Sequence, residues 1–265
     1  MRFRKIIFLG LGILSLGLTS CNKEKELVGF DIDLAKELGQ RLGVDVQFQE
    51  IVWEQKEIEL ASKNIDLIWN GLTITKDRSE NLELSIPYLV NKQVLVSKDG
   101  TIDFTKNLKV SFEAGSAGED LFNQSSDFSN MTKVALSAQV DALTEILSNT
   151  SDVAIIDSTM AGFYINANTS YKDLNIIDYE TESEYYGIAA RKGEKALINK
   201  VNELLTDMYY SKKSEEIAAK YGLADYIVNP LDYDTNSTDD SLNYILNKKS
   251  LIIGYTIFAP IAYKD

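Results

Sequence analysis

Apolar positions along this chain recur with two alternating periods, and the alternation predicts a mixed α/β protein. Ile32, Ala35, Leu38 and Leu42 fall on one helical face, and Gly43 follows as a helix stop. We expect the N-cap of this helix at Asp31. Further helices are predicted around 55–62, from near Glu119, and at 140–147, 158–165, 195–209 and 214–221. The predicted strands are 27–30, 44–48, 65–69, 93–97, 109–112, 134–136, 152–156, 176–179, 187–190 and 251–255.

The strands and helices form two successive sets, one on each side of Gly100. The βαβ rhythm of each set favours a parallel sheet with helices on both faces. Two sets in one chain predict two lobes. Ligands of open α/β sheets bind at the carboxyl ends of strands, so we expect the functional site in the cleft between the lobes.

Residues 222–250 have a different character. Pro230 and the Asp-, Thr-, Asn- and Ser-rich stretch 232–241 predict a linker. An apolar strand at 251–255 follows, close to Asp265. A single strand placed after a linker is unexpected, because it has no neighbouring strand nearby in the sequence.

The first 21 residues form a secretion signal by their pattern. Arg2, Arg4 and Lys5 precede the uncharged apolar run 6–18, which is short for a membrane span and typical of a signal peptide covering residues 1–20. The run ends in Leu-Thr-Ser-Cys, which resembles the bacterial lipobox and implies a lipid on Cys21, with 21–26 as a tether. The alternative is an ordinary signal peptide that ends near a cysteine.

Charge and composition exclude several classes of function. Loss of residues 1–20 leaves 24 basic against 40 acidic residues, a net charge of −16, which repels nucleic acid and anionic membrane. The chain has no histidine, so a Ser-His or Cys-His pair and a His-ligated zinc site are impossible. We expect no cofactor, no metal and a monomer.

Four segments together resemble the polar amino acid receptors of ABC importers, solute-binding protein family 3, which have the type II periplasmic-binding-protein fold. The segments are LVGFDIDLA at 27–35, IDLIWNGLTIT at 65–75 with Arg78, GSAGED at 115–120 and DVAIID at 152–157. Each motif is weak alone, but all four occur in the family's order. The resemblance covers 27–222 and 250–265.

The order departs from the family at one place. Family members begin with a strand and a Phe/Tyr-x-Pro loop, whereas here only 22–26 separates Cys21 from Leu27. The missing piece resembles 251–265, which contains Phe258-Ala259-Pro260. We therefore interpret the chain as circularly permuted, with residues 223–250 joining the original termini. The alternative is a truncated tandem receptor whose last residues begin a second copy.

The resemblance implies a set of ligand-binding residues. Arg78 would bind the α-carboxylate of an amino acid ligand in a bidentate contact, and Asp157 would bind its ammonium group. Trp53 and Phe258 would form apolar walls, although Trp53 could simply pack in the core. Hydroxyl and backbone contacts would come from Thr73, Gly71, Asn70, Ser116 and Ala117. Without the resemblance, Arg78 would be interpreted as an exposed residue of a helix and Asp157 as a helix N-cap.

The implied function is an extracytoplasmic receptor that passes a small polar amino acid to an ABC permease. Lobe one would comprise 27–90 and 186–265, lobe two 91–185, and hinge strands would pass near 90–91 and 183–186. Closure of the lobes on the ligand would follow, because each lobe holds one of its charges. The alternatives are a dehydratase-like enzyme using Glu184 or Tyr186, and a sensor lipoprotein that does not transport.

Overall fold

The computed structural model describes residues 25–166 and 170–265, and it has the predicted two-lobed α/β architecture. The predicted signal peptide and Cys21 lie outside the described residues. In chain order the strands are β1 (Leu27–Val28), β2 (Asp45–Glu50), β3 (Leu67–Thr73), β4 (Leu82–Leu84), β5 (Leu89–Asn91), β6 (Gln93–Ser97), β7 (Lys109–Glu113), β8 (Thr132–Leu136), β9 (Val153–Asp157), β10 (Asn175–Ile177), β11 (Glu184–Arg191), β12 (Ser250–Tyr255) and β13 (Tyr263–Lys264). The helices are α1 (Phe30–Leu42), α2 (Lys56–Ala61), α3 (Lys76–Asn81), α4 (Ala117–Gln124), α5 (Gln139–Ser148), α6 (Ser158–Asn166), α7 (Lys195–Tyr210), α8 (Lys213–Lys220) and α9 (Ser241–Lys248).

The sheet of the first lobe is mixed rather than parallel. Its strand order is β2-β12-β3-β11-β4, with β5 paired to β11. Strands β2, β12 and β3 are mutually parallel, whereas β11 runs antiparallel to β3, β4 and β5. Every residue of β3 is buried, as expected for a strand covered on both faces.

The strand near the end of the chain lies inside this sheet. Strand β12 pairs in parallel with β2 along its whole length, from Ser250 opposite Asp45 to Tyr255 opposite Glu50. On its other side it pairs with β3. A Cβ at Gly254 would come within 2.5 Å of the Ile65 side chain, so a side chain there would disturb the packing.

The two ends of the described chain meet in a short antiparallel ribbon. Leu27 pairs with Lys264 and Val28 with Tyr263. Glu26 and Asp265 exchange two backbone hydrogen bonds, each 3.0 Å long. Residues 251–265 therefore lead in space directly to the start of the segment 27–35.

The second lobe has a five-stranded sheet in the order β10-β6-β9-β7-β8. The strands β8, β7 and β9 are parallel, and β6 and β10 are antiparallel to their neighbours. The carboxyl ends of β7 and β9 place Glu113 and Asp157 at the same edge of the sheet.

Two antiparallel strands connect the lobes. The chain leaves the first lobe through β5 and returns through β11, with Asn91 opposite Glu184 and Leu89 opposite Tyr186. These are the segments in which the hinge was predicted. A pair of adjacent crossing strands allows bending at one place.

Asp31 is not the N-cap of α1, contrary to the prediction. The N-cap is Gly29, two residues earlier, and its φ of 137° disfavours any other residue. Asp31 is buried instead, and its Oδ2 accepts hydrogen bonds from the Gly71 amide and the Tyr88 hydroxyl, both at 2.8 Å. Sequence spacing could not show this contact, because it joins residues 40 and 57 positions apart.

The predicted linker is more structured than its composition suggests. It contains α9, and its Asp239 and Ser241 accept hydrogen bonds from the Ala196 and Leu197 amides at 2.8 and 3.0 Å. These bonds satisfy free amides at the beginning of α7. Across 25–166 and 170–265, none of the helices combines the length and apolarity needed to cross a membrane.

Candidate functional site

The nine predicted ligand-binding residues all line one pocket between the lobes. From the first lobe come Trp53, Asn70, Gly71, Thr73, Arg78 and Phe258, and from the second Ser116, Ala117 and Asp157. Glu113, Gln139 and Thr256 complete the lining. The motifs therefore converge in space although up to 205 positions separate them in sequence.

Arg78 is held in the pocket by the local structure of α3. Thr75 caps this helix, its hydroxyl accepting a hydrogen bond from the Arg78 amide at 3.2 Å. The guanidinium donates through Nη1 to the Thr73 carbonyl at 2.6 Å and through Nη2 to the Gly115 carbonyl at 3.3 Å. Only 5% of the residue is exposed, and burial lowers its pKa. Both recorded acceptors are neutral carbonyls, so this buried cation lacks an anionic partner among the described residues.

Asp157 occupies the opposite side of the same pocket, at the end of β9. Its Oδ1 accepts hydrogen bonds from Gln93 Nε2 at 2.8 Å, from Tyr186 Oη at 2.9 Å and from Asn91 Nδ2. Its Oδ2 accepts one from Gln139 Nε2. These neutral donors orient the carboxylate without neutralising its charge.

The backbone of α6 is engaged by Asn91 rather than by Asp157. Asn91 Oδ1 accepts hydrogen bonds from the Ser158 hydroxyl at 3.0 Å and the Thr159 amide at 3.4 Å. Among the described residues, no hydrogen bond joins the Asp157 carboxylate to the start of α6, as an N-cap would require.

Trp53 and Phe258 provide the aromatic surfaces of the pocket. Trp53 begins a 3₁₀ turn before α2, and the Lys56 ammonium lies 4.9 Å from the centre of its ring. Phe258 follows β12 and packs edge-on against Tyr186, with ring centres 6.3 Å apart. Gly71 allows this arrangement, because a Cβ there would lie 2.6 Å from the Phe258 ring.

Ser116 and Ala117 stand at the N-terminus of α4. Ser116 is its N-cap, with the hydroxyl accepting from the Glu119 amide at 3.3 Å. The helix therefore begins two residues before the predicted position at Glu119. The start of a helix offers amide donors and a positive partial charge, which suit an anionic group.

The lobes touch each other beside this pocket at Gly115. Its carbonyl accepts hydrogen bonds from Lys56 Nζ at 2.9 Å and from Arg78 Nη2, both of the first lobe. A Cβ at Gly115 would lie 3.0 Å from the Glu54 Cα. The pocket has a volume of about 20 Å³, room for about one water molecule. An amino acid can enter only if the lobes separate.

Two buried polar side chains in the pocket lack partners among the described residues. They are Asn70, with both Oδ1 and Nδ2 unbonded, and Glu113, with Oε1 unbonded. Buried polar atoms are nearly always satisfied, so a water molecule or a polar group of a ligand is the expected partner of these atoms. Asn70 belongs to a predicted motif, whereas Glu113 was missed.

Glu184 and Tyr186, the residues considered for acid–base catalysis, both belong to the hydrogen-bond network around Asp157. Glu184 Oε1 accepts hydrogen bonds from Asn91 Nδ2 at 2.6 Å and Gln93 Nε2 at 2.7 Å. Burial and the nearby Asp157 charge raise the pKa of Glu184 to about 8. Glu184 also lines the large outer chamber of the cleft, of about 960 Å³. In the described ranges no group of three acidic or cysteine side chains could hold a metal ion.

Comparisons with known proteins agree on one family. The model of the bacterial extracellular solute-binding proteins, family 3, matches residues 17–224. The arginine-binding extracellular protein ArtP of Bacillus subtilis is 29% identical over 199 residues, which are 74% of this chain and 78% of that protein.

Solved structures resemble the chain at similar levels. An ABC uptake transporter substrate-binding protein from Streptococcus pneumoniae with bound histidine is 32% identical, with a TM-score of 0.68 over 72% of this chain and 82% of that one. The crystal structure of Tv2483 bound to L-arginine has a TM-score of 0.73 at 26% identity, over 78% of this chain and 86% of that one. The chain therefore belongs to the bacterial extracellular solute-binding proteins, family 3.

Proposed function

We propose that this protein is a lipid-anchored extracytoplasmic receptor that binds a polar amino acid between its lobes and delivers it to an ABC importer. The observation that supports this most is a pair of opposite buried charges. Arg78 and Asp157 line the same pocket from different lobes, and the hydrogen-bond partners of each among the described residues are neutral groups. Buried charges are costly unless they are paired, and a zwitterionic amino acid offers a partner to both.

Binding of such a ligand would favour the closed arrangement of the lobes. We assign 27–90 and 186–265 to lobe one and 91–185 to lobe two. Only closure brings Arg78 and Asp157 to opposite poles of one ligand, so the ligand binds the closed state more tightly and increases its population. In this mechanism the carboxylate replaces the Gly115 carbonyl as the partner of Arg78 Nη2.

Thermal unfolding of the purified protein with a panel of common amino acids and cystine tests the receptor function. We expect one or more polar members to raise the melting temperature, and Arg78→Ala to abolish the shift. Arg41→Ala is the matched control, because Arg41 lies on α1 and its Nε donates to Glu37 on the surface. Stabilisation by sugars or metals alone, or an undiminished shift in Arg78→Ala, would contradict the proposal.

The lipid anchor on Cys21 and the ABC permease partner rest on the sequence motif and on the family. Labelling cells with an alkyne fatty acid should mark the wild-type chain and leave Cys21→Ser unmarked and released from the membrane. Loss of amino acid uptake on deletion, with uptake restored by the wild type, would support delivery. A sensor would leave uptake unchanged. We also propose that the receptor is a monomer.

The enzyme alternative is tested separately by incubation with arogenate or prephenate. We expect no turnover. Any turnover that depends on Glu184 would contradict a pure binding function.

We further infer that the chain is circularly permuted. Three observations support this: β12 lies between β2 and β3, Glu26 and Asp265 are hydrogen-bonded, and the family match ends at residue 224, before β12. In the order 250–265, then 25–224, the chain would form the same sheet with a tight hairpin at the junction.

A further inference from the structure

Once a zwitterion is bound between the two lobes, one buried carboxyl group of the pocket, that of Glu113, still has an oxygen without a partner among the described residues. Arg78 takes the carboxylate of the ligand and Asp157 its ammonium group. Two further ionisable side chains lie close by, Lys56 and Glu113. The chemistry of these two decides which ligand side chain the pocket accepts.

Lys56 is already engaged by the protein. Its ammonium donates to the Trp53 carbonyl at 3.3 Å and to the Gly115 carbonyl at 2.9 Å, and it lies over the Trp53 ring. It lines the outer chamber of the cleft and not the pocket that contains Glu113. An anionic ligand side chain would have to draw it away from these contacts.

Glu113 is directed into the pocket and has an unfilled acceptor. It is the last residue of β7, where alternation sends Val110 and Phe112 into an aromatic and aliphatic cluster and Glu113 to the other face. It is 4% exposed, it lines the pocket beside Gln139 and Asp157, and its Oε1 has no partner among the described residues. Burying a carboxyl oxygen without a hydrogen-bond partner costs free energy, so this carboxyl group does not stabilise the fold.

We infer that the ligand is an amino acid with a cationic side chain, and that Glu113 is the residue that selects it by accepting a hydrogen bond from that cation on Oε1. This inference rests on the proposed receptor function, which supplies the orientation of the ligand between Arg78 and Asp157. Asn70 Oδ1, also unpartnered in the described chain, is a second acceptor in the same pocket.

Binding should release a proton. Burial, with Asp157 and Asp141 as the like charges, raises the pKa of Glu113 to about 8, and Lys56 opposes the rise. The acid is therefore mostly protonated at pH 7. A cation placed against it favours the carboxylate and lowers the pKa, so the proton leaves as the ligand binds.

The pKa of Lys56 lies in the same range, so Lys56 could also exchange a proton when the ligand binds. The experiment must distinguish its proton from that of Glu113. Burial and the Arg78 charge lower its pKa to about 8, with Glu57, Glu113 and Asp120 acting against the shift. The variant Glu113→Gln removes the proton on Glu113 and retains Lys56. Proton release that disappears in this variant belongs to Glu113.

Titration calorimetry of the purified protein tests the inference with matched ligand pairs. L-Arginine is compared with its uncharged isostere L-citrulline, L-lysine with L-norleucine, and L-glutamate serves as the acidic ligand. We expect a cationic member to bind more tightly than its neutral isostere. Glu113→Gln should weaken that ligand about 10- to 100-fold, the range of a charge-assisted hydrogen bond, and change citrulline binding less than about 3-fold. Measurements in phosphate and in Tris at pH 7 should show proton release in the wild type alone.

Glu182→Gln is the control for long-range charge, because Glu182 is an exposed carboxylate at the mouth of the same cleft. It should leave the selectivity unchanged. Preference for a neutral or acidic ligand, or unchanged selectivity in Glu113→Gln, would overturn the inference and leave the receptor function standing. If no amino acid binds and Arg78→Ala has no effect, the receptor function fails and the inference fails with it.

Discussion

At the scale of single residues, Arg78 and Asp31 are both buried and ionisable, but their surroundings differ. Asp31 Oδ2 receives two strong donors from inside the protein, the Gly71 amide and the Tyr88 hydroxyl. Among the described residues, the Arg78 guanidinium donates hydrogen bonds to backbone carbonyl oxygens alone. The first arrangement stabilises the fold by joining α1 to β3, and the second holds a cation ready for an anionic ligand.

The geometry of the guanidinium should matter as well as its charge. In Arg78→Lys the positive charge remains, but one ammonium cannot reach the Thr73 carbonyl and both carboxylate oxygens together. We expect Arg78→Lys to weaken amino acid binding about 10- to 100-fold and Arg78→Ala to weaken it further, as measured by calorimetry. Equal affinities in the lysine variant and the wild type would show that the charge alone suffices.

Asp31 should make stability depend on pH. Burial raises its pKa to about 7, against the hydrogen bonds from Tyr88 and Gly71. The folded state then holds the proton more tightly than the unfolded state between about pH 4 and 7, so this residue lowers the free energy of unfolding as the pH rises through that window. Replacement of Asp31 by asparagine should make the free energy of unfolding fall less steeply with pH, by at most about 1.4 kcal/mol per pH unit.

Urea unfolding at several pH values between 4 and 8 measures this effect. Asp45→Asn, which removes an exposed carboxylate of the same lobe, should keep the wild-type slope. A slope in Asp31→Asn equal to that of the wild type would contradict the assignment.

At the scale of elements, β12 is the strand on which the first lobe depends most. It pairs on both sides, and Asp66 secures it at the start of β3. Asp66 Oδ2 accepts from the Ile252 amide at 2.7 Å and from Lys248 Nζ at 2.6 Å. One carboxylate thus fixes both β12 and the end of α9.

We expect Asp66→Ala to lower the free energy of unfolding by about 2–4 kcal/mol, because a buried amide and an ammonium would lose their acceptor. Asp232→Ala, at an exposed position of the 222–250 segment, should change it by less than about 0.5 kcal/mol. Urea unfolding compares the two. A loss in Asp66→Ala as small as in the control would mean that the register of β12 is set by its apolar residues alone.

At the scale of the whole molecule, the order of the segments in the chain and their order in space differ. The sheet of the first lobe is complete only when β12 pairs with β2 and β3, which lie about 200 positions earlier in the chain. Such long-range pairing slows folding more than it affects stability.

A chain whose segments are rearranged to the family's order tests whether the order of the segments in the sequence matters for folding and binding. It would begin at Ser237, continue to Asp265, pass through a turn of two to four residues to Lys25 and end at Asn236. The break lies in an exposed stretch, and the junction joins residues that are already hydrogen-bonded. We expect the same ligand and an affinity within about 3-fold of the wild type, measured by calorimetry. An aggregated or non-binding product would count against the permutation.

The amino-acid sequence by itself determined the α/β character, the two lobes and most of the pocket. It could do so because strand and helix periods are local, and because Arg78, Thr73, Asp157 and their neighbours lie in short motifs that resemble those of the family. The tail segment 251–265 could be assigned to the first lobe because its apolar strand and Phe258 supply what the front of the chain lacks.

Only the tertiary structure decided what depends on contacts between distant segments. Asp31 has the position of an N-cap, and its burial against Gly71 and Tyr88 is visible only in space. Glu113 lies at the carboxyl end of a strand, where the site was expected, but only the structure shows that its Oε1 has no partner among the described residues. The energy of a buried charge depends on the atoms around it in three dimensions, and sequence periodicity carries no information about those atoms.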